Sequence, residues 1–314
     1  MNHHAISVEI DGFPVTVAMS VSPVVSSRPC IMLVHGAQGD HRAWEKQLAW
    51  FAHHGIAAYA PDLPGHGQSG GAPLESIELI GQWLNKLLDQ ILPVGADETK
   101  AKPETTALQD GRAKHALLVV ADGDTPCSTV LVGHSMGSLV ALECAAHRTN
   151  RISGLVLVGT AFPMRVSPAL LEQTRTDEPA AISQIAQWSY SPDSSDATEA
   201  ARSVRRERLA TAQQFMLSQA QGVLYSDLNA CNSYQRGIEA AGAISCPSLV
   251  IAGGKDQMTA PKFAVGLQQA LNAELHSLDG AGHAMMDEQG ATLCQVIEQF
   301  LSKHAISLQG QAKR

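Results

Sequence analysis

Val130-Leu131-Val132-Gly133-His134-Ser135-Met136-Gly137-Ser138-Leu139-Val140-Ala141 is the stretch that decides the fold. An apolar, β-branched run ends at a glycine, and an apolar run with helical spacing begins after a second glycine. Ser135 therefore stands where a strand turns into a helix, with the Gly-x-Ser-x-Gly spacing of a nucleophile elbow. Such a turn holds the serine backbone in a strained conformation. Gly133 and Gly137 carry no Cβ, which allows the close approach of neighbouring backbone that this turn needs.

Length and composition set the class of the protein. With 314 residues and 45% hydrophobic content, the chain can bury the core of one large α/β domain, with room for an inserted subdomain. The formal net charge of −8 and the lack of a basic run argue against a nucleic-acid or anionic-membrane partner. No apolar stretch reaches the roughly 18 residues of a transmembrane helix, so we expect no membrane span.

Two features predict a cytoplasmic protein. Glu9 and Asp11 interrupt the N-terminal apolar run, which therefore predicts a strand and not a signal peptide. The six cysteines are scattered without paired spacing, which is typical of reduced thiols.

Short apolar runs that end at turn residues alternate with helical patterns along much of the chain. Asp11-Gly12 between two alternating runs predicts a β-hairpin. Runs that are apolar on both faces, such as residues 30–34, predict strands inside a parallel sheet. The further predicted strands cover residues 56–60, 154–158, 244–253 and 273–278, and the predicted helices cover 44–54, 74–92 and 291–304. This alternation predicts a mainly parallel sheet with helices on both faces.

Two segments differ from this pattern. Residues 161–240 show helical stretches near 180–188 and 199–221 and no strand signal, and they predict a helical cap over the carboxyl ends of the strands. Residues 93–126 predict an exposed insertion, because most of them are polar and lack periodicity. Within the insertion, the apolar run 115–121 fits a strand or a helix. Residues 1–160 and 241–314 form the predicted core.

The C-terminal third supplies what a reactive serine needs. A serine hydroxyl becomes a good nucleophile when a base removes its proton and a carboxylate orients that base. Asp256 follows one predicted strand and His283 follows the next, so both leave the sheet at the same edge as Ser135. The order Ser, Asp, His fits this architecture. No acid follows the strand 154–158, which favours Asp256 as the orienting acid.

With these residues, the chain resembles the α/β-hydrolase superfamily. The shared motifs are His35-Gly36, the loop of residues 61–69, Gly133 to Gly137, the turn Gly253 to Asp256, and Gly282-His283. They spread over most of the chain except the insertion and the cap. The resemblance implies the α/β-hydrolase fold, with a mainly parallel eight-stranded sheet and an inserted helical cap.

The resemblance also implies roles for individual residues. Ser135 is the expected nucleophile, His283 the general base and then acid, and Asp256 the orienting acid. The backbone N–H groups of Ala37 and Met136 would form the oxyanion hole. The family chemistry takes no cofactor and no metal.

The expected activity is hydrolysis of a small-molecule ester, with small to medium apolar groups, through an acyl-enzyme. Lactonases, thioesterases, C–C bond hydrolases and acyltransferases use the same triad, and the sequence leaves them open. A dehalogenase is disfavoured because it needs a carboxylate at position 135. A non-catalytic ligand receptor on this fold is disfavoured because all three triad residues are present. The sequence gives no oligomeric state.

Other residues near these motifs have two interpretations. We expect structural hydrogen bonds from His35, His66 and Asp62, and packing beside the elbow from His134. Side chains that either line an apolar substrate pocket or fill the core are Met136, Met258, Met285, Met286, Trp188 and Tyr190.

Overall fold

The computed structural model describes residues 4–20, 30–92, 106–107, 113–114 and 129–306. The strands are β1 (His4–Ile10), β2 (Phe13–Met19), β3 (Cys30–Val34), β4 (Ala58–Pro61), β5 (Thr106–Ala107), β6 (Ala113–Lys114), β7 (Thr129–His134), β8 (Ile152–Val158), β9 (Ser248–Gly253) and β10 (Glu274–Leu278). The helices are α1 (Glu45–His53), α2 (Ile77–Ile91), α3 (Met136–Ala146), α4 (Pro168–Thr176), α5 (Glu178–Ser189), α6 (Glu199–Leu217), α7 (Val223–Ser233), α8 (Gly237–Gly242), α9 (Val265–Ala270), α10 (Met285–Glu288) and α11 (Gly290–Lys303).

Eight of the strands form one sheet in the order β1-β2-β4-β3-β7-β8-β9-β10, while β5 pairs with β6. The β1–β2 and β2–β4 pairs are antiparallel, and the remaining pairs of the large sheet are parallel. The hairpin expected at Asp11-Gly12 joins β1 to β2. Asp11 (φ 53°) and Gly12 (φ 83°) both have the left-handed backbone that a two-residue hairpin turn requires. The predicted mainly parallel eight-stranded sheet is therefore confirmed.

Helices cover both faces of this sheet. Along β3, Met32 belongs to the apolar layer that contains side chains of α2 and α3, whereas Ile31 and Leu33 belong to the layer that contains side chains of α1 and α11. Every residue of β3 is buried as a result. The continuous apolar runs in the sequence thus reflect strands that have a helical layer on each side.

Several predicted boundaries were wrong, for local reasons. The helix predicted at 74–92 begins at Ile77, because the Ser76 hydroxyl accepts the Leu79 N–H and caps it. The strand predicted at 244–253 begins at Ser248, directly after Pro247, whose nitrogen has no proton to donate. The strand predicted at 30–34 is confirmed with the same bounds. Other bounds moved by one to a few residues: 44–54 became Glu45–His53, 56–60 became Ala58–Pro61, 154–158 became Ile152–Val158, 180–188 became Glu178–Ser189, 199–221 became Glu199–Leu217, 273–278 became Glu274–Leu278, and 291–304 became Gly290–Lys303.

Helices α4 to α8 occupy the chain between β8 and β9. Helices α4 to α7 share an apolar cluster of their own, whose members are Leu170, Ala181, Ile182, Ile185, Met216, Leu224 and Leu228. Ala240 and Ala241 of α8 instead join the apolar layer that contains side chains of α2 and α3. The sequence pattern did not single out α4, although Ser167 caps it and Pro168 occupies its first position, which is a common helix start.

Most of the predicted insertion 93–126, including the run 115–121, lies outside the described residues. No disulfide bond joins the cysteines that the structure describes, and Cys127 lies outside them. Among the described helices, none combines the length and apolar character needed to cross a bilayer.

The elbow is built by close backbone packing. A Cβ on Gly133 would lie 2.1 Å from the Gly137 carbonyl oxygen, and a Cβ on Gly137 would lie 2.3 Å from the Val34 carbonyl oxygen at the end of β3. Both glycines of the Gly-x-Ser-x-Gly pattern are therefore required by contacts with rigid backbone. These contacts bring the start of α3 against β3 and fix the turn at Ser135.

Gly137→Ala is expected to lower the free energy of unfolding by about 3 kcal/mol, because its methyl group meets backbone carbonyls that cannot move aside. Urea denaturation measures this change. Gly242→Ala is the control, since Gly242 is helical and a Cβ there meets nothing within 4 Å; it is expected to be neutral or to stabilise by up to about 1 kcal/mol. Equal denaturation midpoints for the two variants would contradict the packing argument.

Candidate active site

Ser135 lies at the junction of β7 and α3 with φ 53° and ψ −121°, a backbone conformation that residues other than glycine rarely adopt. Its N–H donates to the Val158 carbonyl at the end of β8 (2.9 Å), and its carbonyl accepts the Ser138 hydroxyl (2.6 Å). These bonds hold the strained turn in place. The elbow predicted from the sequence is therefore present at this serine.

Asp256 and His283 meet beyond the ends of β9 and β10. The His283 Nδ1 and Asp256 Oδ2 atoms are 2.8 Å apart, and both residues are buried. The second carboxylate oxygen accepts the N–H groups of Met258 and Thr259, each at 2.8 Å. The Thr259 hydroxyl donates to Asp256 Oδ2 (2.7 Å). The structure thus joins the acid and the base that the sequence predicted.

These contacts define the charge and the orientation of the pair. Burial by itself raises the pKa of Asp256, but the nearby His283 and the hydrogen bonds from His283 and Thr259 hold it well below the usual value. An ionised carboxylate only accepts hydrogen bonds, so the His283 Nδ1 carries a proton. In the neutral ring the lone pair is then on Nε2, which is the atom that can accept a proton from a nucleophile.

Ser135 and His283 line the same cavity. The Ser135 N–H is bonded to Val158, and the next residue, Gly159, lies against the His283 ring: a Cβ on Gly159 would be 3.3 Å from the ring atoms Cε1 and Nδ1. No hydrogen bond joins the Ser135 hydroxyl to His283 among the described residues. Nucleophile–base hydrogen bonds are often long before substrate binds.

Ala37 and Met136, the two residues predicted to form the oxyanion hole, lie close to Ser135. A Cβ on Gly36 would lie 3.2 Å from the Ser135 Cβ, so the loop that carries Ala37 contacts the elbow directly. Neither the Ala37 N–H nor the Met136 N–H donates a hydrogen bond to another described residue. Met136 is the first residue of α3, where the helix dipole favours negative charge. The two N–H groups are therefore available to an external acceptor.

The neighbouring histidines have the structural contacts that were expected. His134 is buried beside the elbow, with its ring centroid 4.7 Å from that of His283, and burial lowers its pKa to about 3. The neutral ring donates from Nε2 to the His283 carbonyl (3.0 Å). Burial, together with the nearby His66, lowers the pKa of His35 to about 4, and this neutral ring accepts the Leu63 N–H at Nε2 (3.1 Å).

Asp40, His41 and Asp62 have potential metal-ligand atoms within 4.8 Å of one another. Their oxygen atoms already have protein partners. Asp40 accepts from Arg42 and from the Gln219 amide, and Asp62 accepts both the backbone N–H (2.7 Å) and the ring Nδ1–H (2.6 Å) of His41. This set of contacts makes Asp62 a structural residue, as the sequence suggested, and gives no separate indication of a metal.

The cavity in front of Ser135 encloses about 850 Å³. Its wall is largely apolar and comes mainly from helices α4 to α7 and the loops around them; the apolar side chains include Met164, Val166, Leu170, Ile185, Trp188, Phe215, Met216, Leu224, Leu228, Met258 and Met286. Among the residues with two interpretations, Trp188, Tyr190, Met258 and Met286 line this cavity. Met136 and Met285 are fully buried in the core. A cavity of this size and character accommodates a small or medium apolar molecule.

Sequence reasoning missed residues that hold the acid and the base. Thr259 follows Asp256 by three positions, and an Asp that accepts N–H groups two and three residues later is a recognisable local turn pattern. Glu288 accepts the Gly282 N–H with one carboxylate oxygen and the Ser191 N–H and hydroxyl with the other. It thereby ties the His283 loop to the segment between α5 and α6. No sequence signal predicts a contact across such a distance.

Comparison with known proteins identifies the family. Residues 31–296 match the model of a family described as the alpha/beta hydrolase family. The chain belongs to this family. The expected superfamily and fold are therefore confirmed.

Two curated relatives match this alpha/beta hydrolase over part of their length. A putative non-heme haloperoxidase of Mycobacterium phage D29 is 28% identical over 162 residues, which are 51% of this chain and 44% of that protein. Lipase LipV of Mycobacterium tuberculosis is 30% identical over 136 residues, which are 43% of this chain and 38% of the lipase. The chain thus matches less than half the length of either relative.

Among solved structures, the esterase EaEST from Exiguobacterium antarcticum superposes with a TM-score of 0.72 at 15% identity. The superposition covers 95% of this chain and 100% of the esterase. At this level of identity, the likeness concerns the fold.

The Asp256–His283 contact predicts how stability depends on pH. Because folding lowers the pKa of Asp256, its ionised form stabilises the fold above the unfolded value of about 3.9, and this contribution is lost as the pH falls toward the folded value. Asp256→Asn is expected to lower the free energy of unfolding by about 3 kcal/mol near neutral pH, where it removes one partner of a buried pair. The loss is expected to be clearly smaller near pH ~3.

Urea denaturation at the two pH values checks this expectation. Asp193→Asn, at an exposed position, is the matched control and is expected to change the free energy little at either pH. An Asp256→Asn effect of the same size at both pH values would be incompatible with an ionised, His283-paired carboxylate.

Proposed function

We propose that this chain is a serine hydrolase that cleaves carboxylic esters with small to medium apolar groups through an acyl-enzyme intermediate. The observation that carries the proposal is the buried Asp256–His283 pair, whose His283 lines one largely apolar cavity together with Ser135. The family membership and the lipase relative support the same reaction class.

In the proposed reaction, the Ser135 Oγ attacks the ester carbonyl carbon while His283 Nε2 accepts the hydroxyl proton. The tetrahedral intermediate collapses, the C–O bond to the alcohol breaks, and His283 returns the proton to the leaving alcohol. Water then attacks the acyl-enzyme, giving its proton to His283, and the acid leaves as Ser135 regains its proton. Asp256 keeps the His283 ring oriented and stabilises its charged form.

The proposed oxyanion hole is the pair of N–H groups on Ala37 and Met136. Two backbone donors fixed before the reaction stabilise the charge that develops on the carbonyl oxygen, and each such donor typically contributes about 2.7–4 kcal/mol. The positive end of the α3 dipole acts in the same direction. Every step uses groups of this chain and water, so the proposed reaction takes no cofactor.

We also propose that residues 161–240 form the cap and that residues 1–160 and 241–314, with an insertion at 93–126, form the hydrolase core. Helices α4 to α7 support this division, because they pack around their own apolar cluster and provide much of the cavity wall. In this arrangement the core provides the reacting groups and the cap selects the substrate.

Ser135→Ala is expected to abolish hydrolysis of p-nitrophenyl butyrate and labelling by a fluorophosphonate probe, because the nucleophile is missing. Release of p-nitrophenol and mass spectrometry of the labelled protein measure the two effects. Ser277→Ala, at an exposed position of β10, is the control and is expected to keep both. Comparable turnover by Ser135→Ala would exclude the assignment, and a wild-type protein that the probe does not label would indicate a non-catalytic binding protein.

The apolar cavity predicts a preference for longer acyl groups. Each buried methylene contributes about 0.8 kcal/mol, so kcat/KM for p-nitrophenyl butyrate is expected to exceed that for the acetate by about tenfold. Initial rates with a series of acyl lengths measure this ratio, and lactones and thioesters of matched size, tested alongside, identify the preferred linkage. An acetate that reacts faster than the butyrate would show that the cavity does not hold the acyl chain.

A further inference from the structure

A polar connection runs from helix α7 to the loop that carries Ala37. Asp227 lies on α7, is fully buried, and is 189 positions from Gln38 in the sequence. Its Oδ2 atom accepts the Gln38 backbone N–H at 2.8 Å and the His66 Nε2–H at 2.9 Å. Two donors from two core loops therefore converge on one carboxylate oxygen, and the other oxygen has no partner among the described residues.

The His66 ring is charged in this arrangement. Its Nδ1 is 2.9 Å from the Pro64 carbonyl oxygen, and its Nε2 faces the Asp227 carboxylate. A backbone carbonyl and an ionised carboxylate only accept hydrogen bonds, so both ring nitrogens carry protons when Asp227 is ionised. Burial alone lowers the pKa of His66, but the Asp227 carboxylate and the bonds to Asp227 and Pro64 raise it above its ordinary value. Asp227 thus belongs to a buried ion pair, which fixes its position firmly.

Gln38 needs such an anchor. It has φ 55°, a left-handed conformation that costs a residue with a Cβ on the order of 1–3 kcal/mol. Its side-chain Nε2 donates to the Met216 carbonyl of α6 at 3.1 Å, and its backbone N–H goes to Asp227. The two bonds that hold this strained residue therefore both come from helices that line the cavity.

The peptide that contains the Gln38 N–H shares the Ala37 Cα with the peptide that contains the Ala37 N–H. When the peptide of the Gln38 N–H is fixed, rotation of the peptide of the Ala37 N–H is restricted. We propose that Asp227 is a positioning residue for the oxyanion hole: it holds Gln38 from α7 and so keeps the Ala37 N–H directed at the reacting carbonyl oxygen. This inference rests on the proposed ester hydrolysis.

The connection also links substrate selection to catalysis. A displacement of α7 that breaks the bond between Asp227 and Gln38 releases the left-handed turn, and the Ala37 donor loses its fixed direction. Preorganised donors act because they need no reorganisation during the reaction, so a loosened donor stabilises the transition state less while substrate binding is retained.

The test compares wild type, Asp227→Asn and Gln219→Ala with p-nitrophenyl butyrate. Asp227→Asn keeps the shape of the side chain but removes the charge that holds both donors. Its kcat is expected to fall by about 10- to 100-fold, less than the ~10²–10³ typical of losing a whole donor, with KM within about twofold. Inhibition by an alkyl trifluoromethyl ketone, which forms a tetrahedral adduct with the serine, is expected to weaken by the same factor as kcat.

Gln219→Ala is the matched control. Gln219 also joins the α6–α7 region to the core, through Asp40 (2.7 Å) and the Gly67 N–H (2.9 Å), and no hydrogen bond joins it to Gln38 in the part of the chain that the structure describes. Its kcat and ketone inhibition are expected to stay near wild type. An equal loss of kcat in Gln219→Ala would assign the effect to general docking of the helices and overturn the role of Asp227. Wild-type kcat in a folded Asp227→Asn protein, or a change in KM alone, would overturn it as well.

Amide hydrogen exchange in the wild-type protein tests the anchor without a variant, should Asp227→Asn fail to fold. The Gln38 amide is expected to exchange orders of magnitude more slowly than an unstructured peptide, and exchange at the free-peptide rate would overturn the inference. Failure of the proposed function has a different signature: the wild type itself would neither hydrolyse the ester nor react with the fluorophosphonate.

Discussion

The close contact between the start of α3 and the carbonyl end of β3 is the constraint on which the site depends. With the Gly137 Cα against the Val34 and His35 carbonyls, the chain has no room for a relaxed turn, and Ser135 is held at φ 53°. Parallel pairing of β7, β8, β9 and β10 then brings the ends of four strands to one edge. The register of the sheet places the loops that carry Asp256 and His283 at the same edge as Ser135.

Polar contacts and burial at this edge of the sheet determine which groups of the site are charged. Asp256 is kept ionised by backbone N–H groups, Thr259 and His283, whereas burial keeps His134 neutral beside the same ring. The Asp256 carboxylate therefore faces His283, and the neutral His134 ring adds no positive charge beside it. This arrangement favours one tautomer of His283, with Nε2 directed away from Asp256, which a proton acceptor for a serine hydroxyl requires.

Local signals in the sequence predicted a large part of this. Each of these features depends on about ten neighbouring residues, over which periodicity and turn preferences predict structure: the elbow, the Asp-Gly hairpin, and the polar residues after β9 and β10. Thr259 was within reach of the same reasoning. Asp227 and Glu288 were not, because their partners Gln38 and Ser191 are distant in sequence and become neighbours only when α4 to α7 pack against the core. Helix α4 has a Ser-Pro start, which is a local signal, but its nine residues are too few to establish a helical period.

These long-range contacts all join the segment of helices α4 to α7 to core loops near Ser135. Asp227 and the Met216 carbonyl hold Gln38, next to Ala37. Near His283, the Ser189 carbonyl accepts the Ala284 N–H and Glu288 joins Ser191 to Gly282. Helices α4 to α7 and the segment after α5 thus attach to the core beside the loops of Gln38 and His283, while apolar side chains of the helices line the cavity. Under the proposed function, side chains on that wall can change to accept another substrate as long as these few polar contacts persist. In the proposed reaction, substrate choice and transition-state stabilisation therefore depend on different residues of the same helices.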